Sequence, residues 1–167
     1  MVIESRTREE IEATIRAGVL EEGTVDLLTR AGVAARLRAE ALVHPGVGIA
    51  FAGARLRIDL HAHTGKSMYV YGQTEITRDL MEARAAAGAT TIYEADGVSV
   101  HGFDGARPSV RWVKDGRPQE LACEFIAGCD GYHGVCRASV PGSAIRTYER
   151  EYPFGWLGIL SDTPPVD

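Results

Sequence analysis

His61 and His63 flank Ala62 in the run Asp59-Leu60-His61-Ala62-His63-Thr64. On an extended segment such alternate residues share a face, where two imidazoles can ligate Zn2+. A zinc site needs more ligands, and only His44, His101 and His133 remain, scattered and without a second such pair. The plainer reading is a polar loop at the end of a hairpin. Gly65-Lys66-Ser67 has the ending of a phosphate-wrapping loop, but the glycine that motif requires at position 60 is Leu60, which leaves a solvated turn. In Gly128-Cys129-Asp130-Gly131 the glycines permit close backbone approach, and Asp130 can accept hydrogen bonds from sugar or ribityl hydroxyls; taken alone, an Asp-Gly pair is a plain turn. Cys129 and Cys136 could form a redox pair, although shielded free thiols are the commoner outcome. No GxGxxG is present: Gly46-Val47-Gly48 runs on to Phe51, whose side chain would fill the space of a pyrophosphate.

The elements that must position these residues belong to a chain of 167 residues, 45% hydrophobic and 25% charged, with a net charge of -5. That composition fits one domain, or one domain with part of another, and excludes collagen, disorder and a disulfide scaffold. The acidic balance argues against nucleic acid and anionic membranes as partners, because neutralising phosphates takes a surplus of Lys and Arg. Three cysteines without a CxxC, no apolar leader and no run long enough to span a bilayer predict a reduced, soluble, cytoplasmic protein.

Val2 and Ile3 read as the end of a strand, and Thr7-Arg8-Glu9-Glu10 carries a capping-box pattern opening a helix with Ile11 and Ile15 on one face. A second helix is predicted over 24–31, with Val25, Leu28 and Ala31 inward and Gly32 ending it, and a helical patch over 34–42. Val47, Ile49 and Phe51, then Leu56, Ile58 and Leu60, alternate around Ala52-Gly53-Ala54 as a hairpin. A strand at 68–71 precedes a helix at 74–87, in which Ile76, Leu80, Ala83 and Ala87 form a stripe and Arg78 pairs with Glu82. Strands come next at 90–93, 98–103, 109–114 and 120–127, with a turn at Asp115-Gly116. In that pattern Cys123 occupies a core position, and a buried strand delivers the Gly128 loop to a short helix. The order predicts an α/β fold interrupted by a second, β-rich segment.

Arg16-Ala17-Gly18-Val19-Leu20-Glu21, Tyr71-Gly72-Gln73-Thr74-Glu75, Ile126-Ala127-Gly128-Cys129-Asp130-Gly131 and Tyr152-Pro153-Phe154-Gly155-Trp156-Leu157-Gly158 together resemble the class A flavin monooxygenases. The likeness runs in order from about Ile3 to Pro165 and is closest to the members that hydroxylate 4-hydroxybenzoate. It implies a Rossmann-like FAD/NAD(P)-binding domain of the p-hydroxybenzoate hydroxylase type. Residues 1–42 and 73–150 would form the FAD-binding part, and 43–72 with 151–167 would be portions of the substrate-binding domain.

The resemblance implies that Glu4 accepts hydrogen bonds from the adenosine ribose of FAD, and that Arg16 reaches its ribose-pyrophosphate region. Gly18 and Val19 would lie near the flavin ring, Gln73 at the ribityl-phosphate, and Asp130 with Gly131 at the ribityl hydroxyls and pyrophosphate. Tyr132, His133 and Arg137 match positions that help bind NAD(P)H. Read without the resemblance, Arg16 and Arg137 are solvated helix charges, His133 a turn residue and Gln73 part of a helix start. The implied chemistry is reduction of FAD by NAD(P)H, reaction with O2 to a flavin hydroperoxide and transfer of one oxygen to a phenolic acid, with the protein supplying position and electrostatics. Glu9 and Glu10 add negative charge where a 2′-phosphate would sit, pointing to NADH or mixed use. Homodimers are what the resemblance suggests.

The chain lacks the family's first strand and Gly-rich turn, which precede the position of Glu4. It also stops before the family's catalytic and substrate-binding residues, so no catalytic residue is assigned, and the expectation is an internal portion without turnover of its own. Two other readings stand beside it: a metal-dependent hydrolase, since the Asp59–Thr64 run resembles the strand-end signature of amidohydrolases, and a non-catalytic remnant.

Overall fold

The computed structural model describes residues 1–155 and 157, and the chain divides into two units, Met1–Tyr93 and the residues from Glu94 on. In the first unit, β1 (Val2–Ile3) runs parallel to β7 (Thr91–Ile92), and the N–H groups of Val2 and Glu4 extend the ladder onto the carbonyls of Thr90 and Ile92. Helix α1 (Arg8–Ala13) starts at the expected capping box: the Thr7 hydroxyl accepts from the Glu10 N–H, and the Glu10 carboxylate accepts from the Thr7 N–H. The helix is shorter than its apolar stripe predicts. Thr14 is extended, and its hydroxyl donates back to the Glu10 carbonyl at 2.8 Å, so Ile15 lies outside the helix and is 77% exposed.

Strand β2 (Val19–Glu21), helices α2 (Glu22–Arg30) and α3 (Ala35–Glu40), and strands β3 (Leu42–His44) and β6 (Met68–Val70) build the core of this unit. The sheet order is β2-β6-β3, both pairings antiparallel. Leu20, Val25, Leu28, Ala34, Leu37 and Tyr71 close over one another as its buried cluster. Gly32 takes the left-handed conformation expected after α2 (φ 75), whereas Ala31 faces solvent rather than the core. The patch predicted over 34–42 ends at Glu40 because Leu42 joins β3.

The expected hairpin forms from β4 (Gly46–Phe51) and β5 (Ala54–Asp59), but its turn is tighter than the Ala52-Gly53-Ala54 expected: Ala54 already pairs with Phe51, leaving Ala52 and Gly53, both at positive φ. The segment beyond β5 departs from the expected loop. Residues Leu60–Thr64 form a helical turn, α4, because the Asp59 carboxylate accepts from the Ala62 N–H at 2.8 Å and caps it. Helix α5 (Gln73–Ala86) matches its predicted span, with Gly88 left-handed beyond it. Arg78, however, bonds to Glu75 and reaches Glu12 rather than pairing with Glu82. A Glu placed N-terminal to its cation is the favourable order on a helix, and only Glu75 satisfies it.

In the second unit, β8 (Asp96–His101), β9 (Ser109–Lys114) and β10 (Arg117–Ala122) form an antiparallel meander with β9 central. The β9–β10 turn is Asp115-Gly116, both at positive φ, and Val110 and Trp112 are buried on one side of β9. The final strand stops five residues short of its predicted end at Ala127. Ala122 already faces Ser109, the first residue of β9, and Pro108 before it has no N–H to lend a ladder; its carbonyl instead accepts from the Cys123 N–H. Cys123 is therefore only half-buried, Phe125 is 88% exposed, and the Gly128 loop hangs from an irregular segment instead of a buried strand. Helix α6 (Val135–Ser139) lies against β8.

Candidate functional site

The first unit gathers four of the expected residues at the start of α5. Segment 14–18, between α1 and β2, is pinned at both ends. The Thr74 hydroxyl donates to the Thr14 carbonyl at 3.1 Å, and the Tyr71 N–H donates to the Gly18 carbonyl at 2.9 Å. Arg16 lies midway between these anchors, exposed, and forms no ion pair among the described residues. Gly18 is fixed by contact: a Cβ there would fall 2.1 Å from the Tyr71 carbonyl oxygen, so only glycine lets the two backbones touch. Val19 comes next, 56% exposed, at the head of β2 opposite Val70.

Gln73 is the first residue of α5 and Gly72 is its N-cap, with no side chain capping the helix. The N–H groups of Glu75 and Ile76 turn back to the Gly72 carbonyl. Those of Gln73 and Thr74 are the donors a helix start leaves to a ligand or water. Uncapped amides, the helix dipole and the Arg16 cation on the adjoining segment make this corner suited to an anion.

Glu4 belongs to the same unit, at the carboxyl end of β1, where open parallel sheets place ligands. One carboxylate oxygen accepts from the Arg6 N–H at 2.9 Å and the Ser5 hydroxyl at 3.3 Å, which folds residues 4–6 around it.

The second unit gathers the remaining set. Gly131 takes a left-handed turn (φ 75), and the Asp130 carboxylate folds back to accept the Cys136 N–H at 2.9 Å, the entry to α6. A Cβ on Gly134 would lie 2.0 Å from Asp130 Cγ, so that glycine is what admits the carboxylate. The Cys136 N–H holds the Asp130 carboxyl below its usual range, while burial, and then Asp130 itself, push the Cys136 thiol up. Tyr132 and His133 meet edge to face with centroids 5.0 Å apart, and the Arg137 guanidinium sits 4.5 Å over the Tyr132 ring. The three residues expected at the nicotinamide nucleotide therefore form one exposed cluster.

The histidine pair does not form the shared face that an extended segment would give it. On α4, residues two apart point about 200° from each other, and His61 Nδ1 is 3.3 Å from the Ser67 hydroxyl. Among the described residues no group of three or more His, Cys, Asp or Glu side chains is placed to hold a metal ion. Gly65 is the left-handed cap of α4, and the Ser67 N–H is spent on the Glu22 carboxylate, so the Gly65-Lys66-Ser67 run is a helix end rather than a phosphate cradle. Cys123, Cys129 and Cys136 are all free thiols. The motif over 152–158 lies partly outside the described residues.

The grouping of Arg36 with Glu75 and Asp79, which joins α3 to α5, was not legible in the sequence. The i, i+4 spacing of the two acids was there to be read; their cation, 39 to 43 residues away, was not.

Known proteins resemble this chain in sequence and in fold. A p-hydroxybenzoate hydroxylase from Acinetobacter baylyi is 50% identical over 167 residues, covering 99% of this chain and 41% of the relative, so the chain spans less than half of that protein's length. The crystal structure of p-nitrophenol 4-monooxygenase from Pseudomonas putida superposes with a TM-score of 0.61 at 16% identity, over 74% of this chain and 32% of that one, and shows the shared α/β fold. The family model described as FAD binding domain matches residues 1–167 in full, and the chain belongs to that family.

Proposed function

We propose that this chain is the cofactor-holding portion of an FAD-dependent aromatic monooxygenase that hydroxylates 4-hydroxybenzoate or a close phenolic acid. The observation that carries the reading is the double anchoring of segment 14–18 onto the start of α5. It sets Arg16, which has no ion pair among the described residues, on the segment beside the uncapped helix terminus at Gln73. That donor set suits the diphosphate and ribityl-phosphate of FAD: a cation, backbone N–H groups and a side-chain amide. When bound, the flavin supplies the passage of electrons from NAD(P)H and the activation of O2 that place an oxygen on the ring.

The chain's own residues bind and orient. Arg16 and the first turn of α5 neutralise phosphate, Gly18 and Val19 offer an apolar backbone edge to the ring system, and Glu4 accepts from ribose hydroxyls. Asp130 keeps one oxygen for Cys136 and turns the other to ribityl hydroxyls, with Gly131 leaving room for the pyrophosphate. The cluster of Tyr132, His133 and Arg137 combines an aromatic face with a cation, the chemistry a nicotinamide nucleotide requires. Glu9 and Glu10, both exposed, add negative charge where a 2′-phosphate would sit, which favours NADH or mixed use over NADPH. The hairpin of β4 and β5 leaves Ile49, Phe51 and Leu56 exposed; residues 43–72 and 151–167 are proposed as portions of a substrate-binding part and 1–42 with 73–150 as the FAD-binding part, with β3 and β6 pairing into the sheet of β2. A homodimer is proposed with it. No helix among the described residues is long and apolar enough to cross a membrane.

Replacing Arg16 with Met or Gln73 with Ala tests the site. Each is expected to weaken FAD binding about tenfold, the strength of one charge-assisted or buried hydrogen bond, and the Arg16→Met loss shrinks as salt is raised. Unchanged FAD affinity in both variants would contradict the assignment.

A further inference from the structure

The Arg36 guanidinium, on α3, reaches two acids one turn apart on α5. It bonds to Glu75 and, at 2.7 Å, to Asp79. The other Asp79 oxygen accepts from the Tyr71 hydroxyl at 2.8 Å, and Tyr71 is 5% exposed. The Tyr71 N–H in turn holds the Gly18 carbonyl. One cation therefore ties together α3, the first turns of α5 and the corner at Tyr71-Gly72, and through that corner the Arg16 segment. Without it Glu75 would still have Arg78, but the Asp79 carboxylate, whose side chain is only 10% exposed, would be left with the Tyr71 hydroxyl alone. The Asp79 charge left without its cation would strain the contact with Tyr71, and with it the corner from which α5 begins at Gln73.

We propose that Arg36 is a positioning residue of the flavin site: it fixes the first turn of α5 and the Tyr71 corner against Gly18, and so sets the spacing between Gln73 and Arg16. This rests on the FAD reading above. An ordinary surface ion pair would steady α3 on α5 without governing that spacing.

The test compares the chain with Arg36→Met, Arg36→Lys and, as a control in the second unit, Arg111→Met, which removes an exposed pair with Glu120. Backbone hydrogen exchange and FAD titration are read on each. In Arg36→Met the amides of Tyr71, Glu75 and Ile76 should exchange about tenfold faster while those of Val2 and Glu4 in the β1–β7 pair stay protected, and FAD should bind about tenfold more weakly. Arg36→Lys, which can reach one acid but cannot fork between two, should fall between. Arg111→Met should match the parent chain in both readouts.

Loosening spread equally over the unit, or unchanged exchange at Tyr71 and Glu75, would overturn the anchoring. Faster exchange there with unaltered FAD affinity would overturn the positioning role. Failure of the parent chain to bind FAD would instead strike the flavin reading, and the exchange pattern would still decide whether Arg36 holds this corner.

Discussion

Gly18 shows how a single residue type decides whether the corner can form. With the Tyr71 carbonyl 2.1 Å from where a Cβ would sit, backbone must move against backbone. Gly18→Ala is therefore expected to destabilise the chain by about 2–4 kcal/mol, at the upper end of overpacking costs, read as a lowered denaturation midpoint. Asp130 makes a pH prediction. Its carboxyl is depressed by the Cys136 N–H, so the stability it contributes is present above the ordinary Asp range and is lost as pH falls through the lower folded value. The Asp130 bond to the entry of α6 should hold above the ordinary Asp range and be lost progressively as pH falls below it, observable as faster exchange at the Cys136 amide. The raised Cys136 thiol should react with iodoacetamide at pH 8 more slowly than exposed Cys129, and Asp130→Asn should speed it, as peptide mapping would show. At this scale the sequence was most legible where a contact is local. Thr7 and Glu10 sit three residues apart and capped as read, whereas Arg36 meets Glu75 and Asp79 only because α3 and α5 pack together.

Elements were legible wherever a turn residue and a period agreed. The hairpin at Ala52-Gly53, one residue tighter than read, the Asp115-Gly116 turn and the span of α5, within one residue, follow their patterns. They misled where a short polar cap or an exhausted partner intervened. Asp59 turned a predicted loop into α4, and Pro108 together with the start of β9 ended β10 at Ala122. The first unit's cluster centres on Leu37 and Val25, exposed 1% and 0%. Leu37→Ala should cost about 2–5 kcal/mol, the range for emptying a well-packed leucine site. Because Leu37 sits one residue from Arg36 on α3, this loss should be accompanied by faster exchange throughout α3, unlike the confined effect expected of Arg36→Met. A chemical-denaturation curve with an unchanged slope would confirm that the change is one of stability.

For the whole molecule, the sequence carried the ancestry farther than it carried the geometry. The ordered motifs around Arg16, Tyr71 and Gly128 pointed to an FAD-binding family, and the match over residues 1–167 bears that out. Which backbone groups would meet the cofactor was not legible, because it depends on Thr14 and Gly18 being anchored to Thr74 and Tyr71, far along the chain. The most direct test of the central claim is a titration of the purified chain with FAD, following flavin fluorescence and the thermal midpoint together. Saturable quenching with a midpoint that rises as FAD is added is the predicted result, since a ligand that binds only the folded state must stabilise it. A folded chain whose fluorescence and midpoint both ignore FAD would contradict the account.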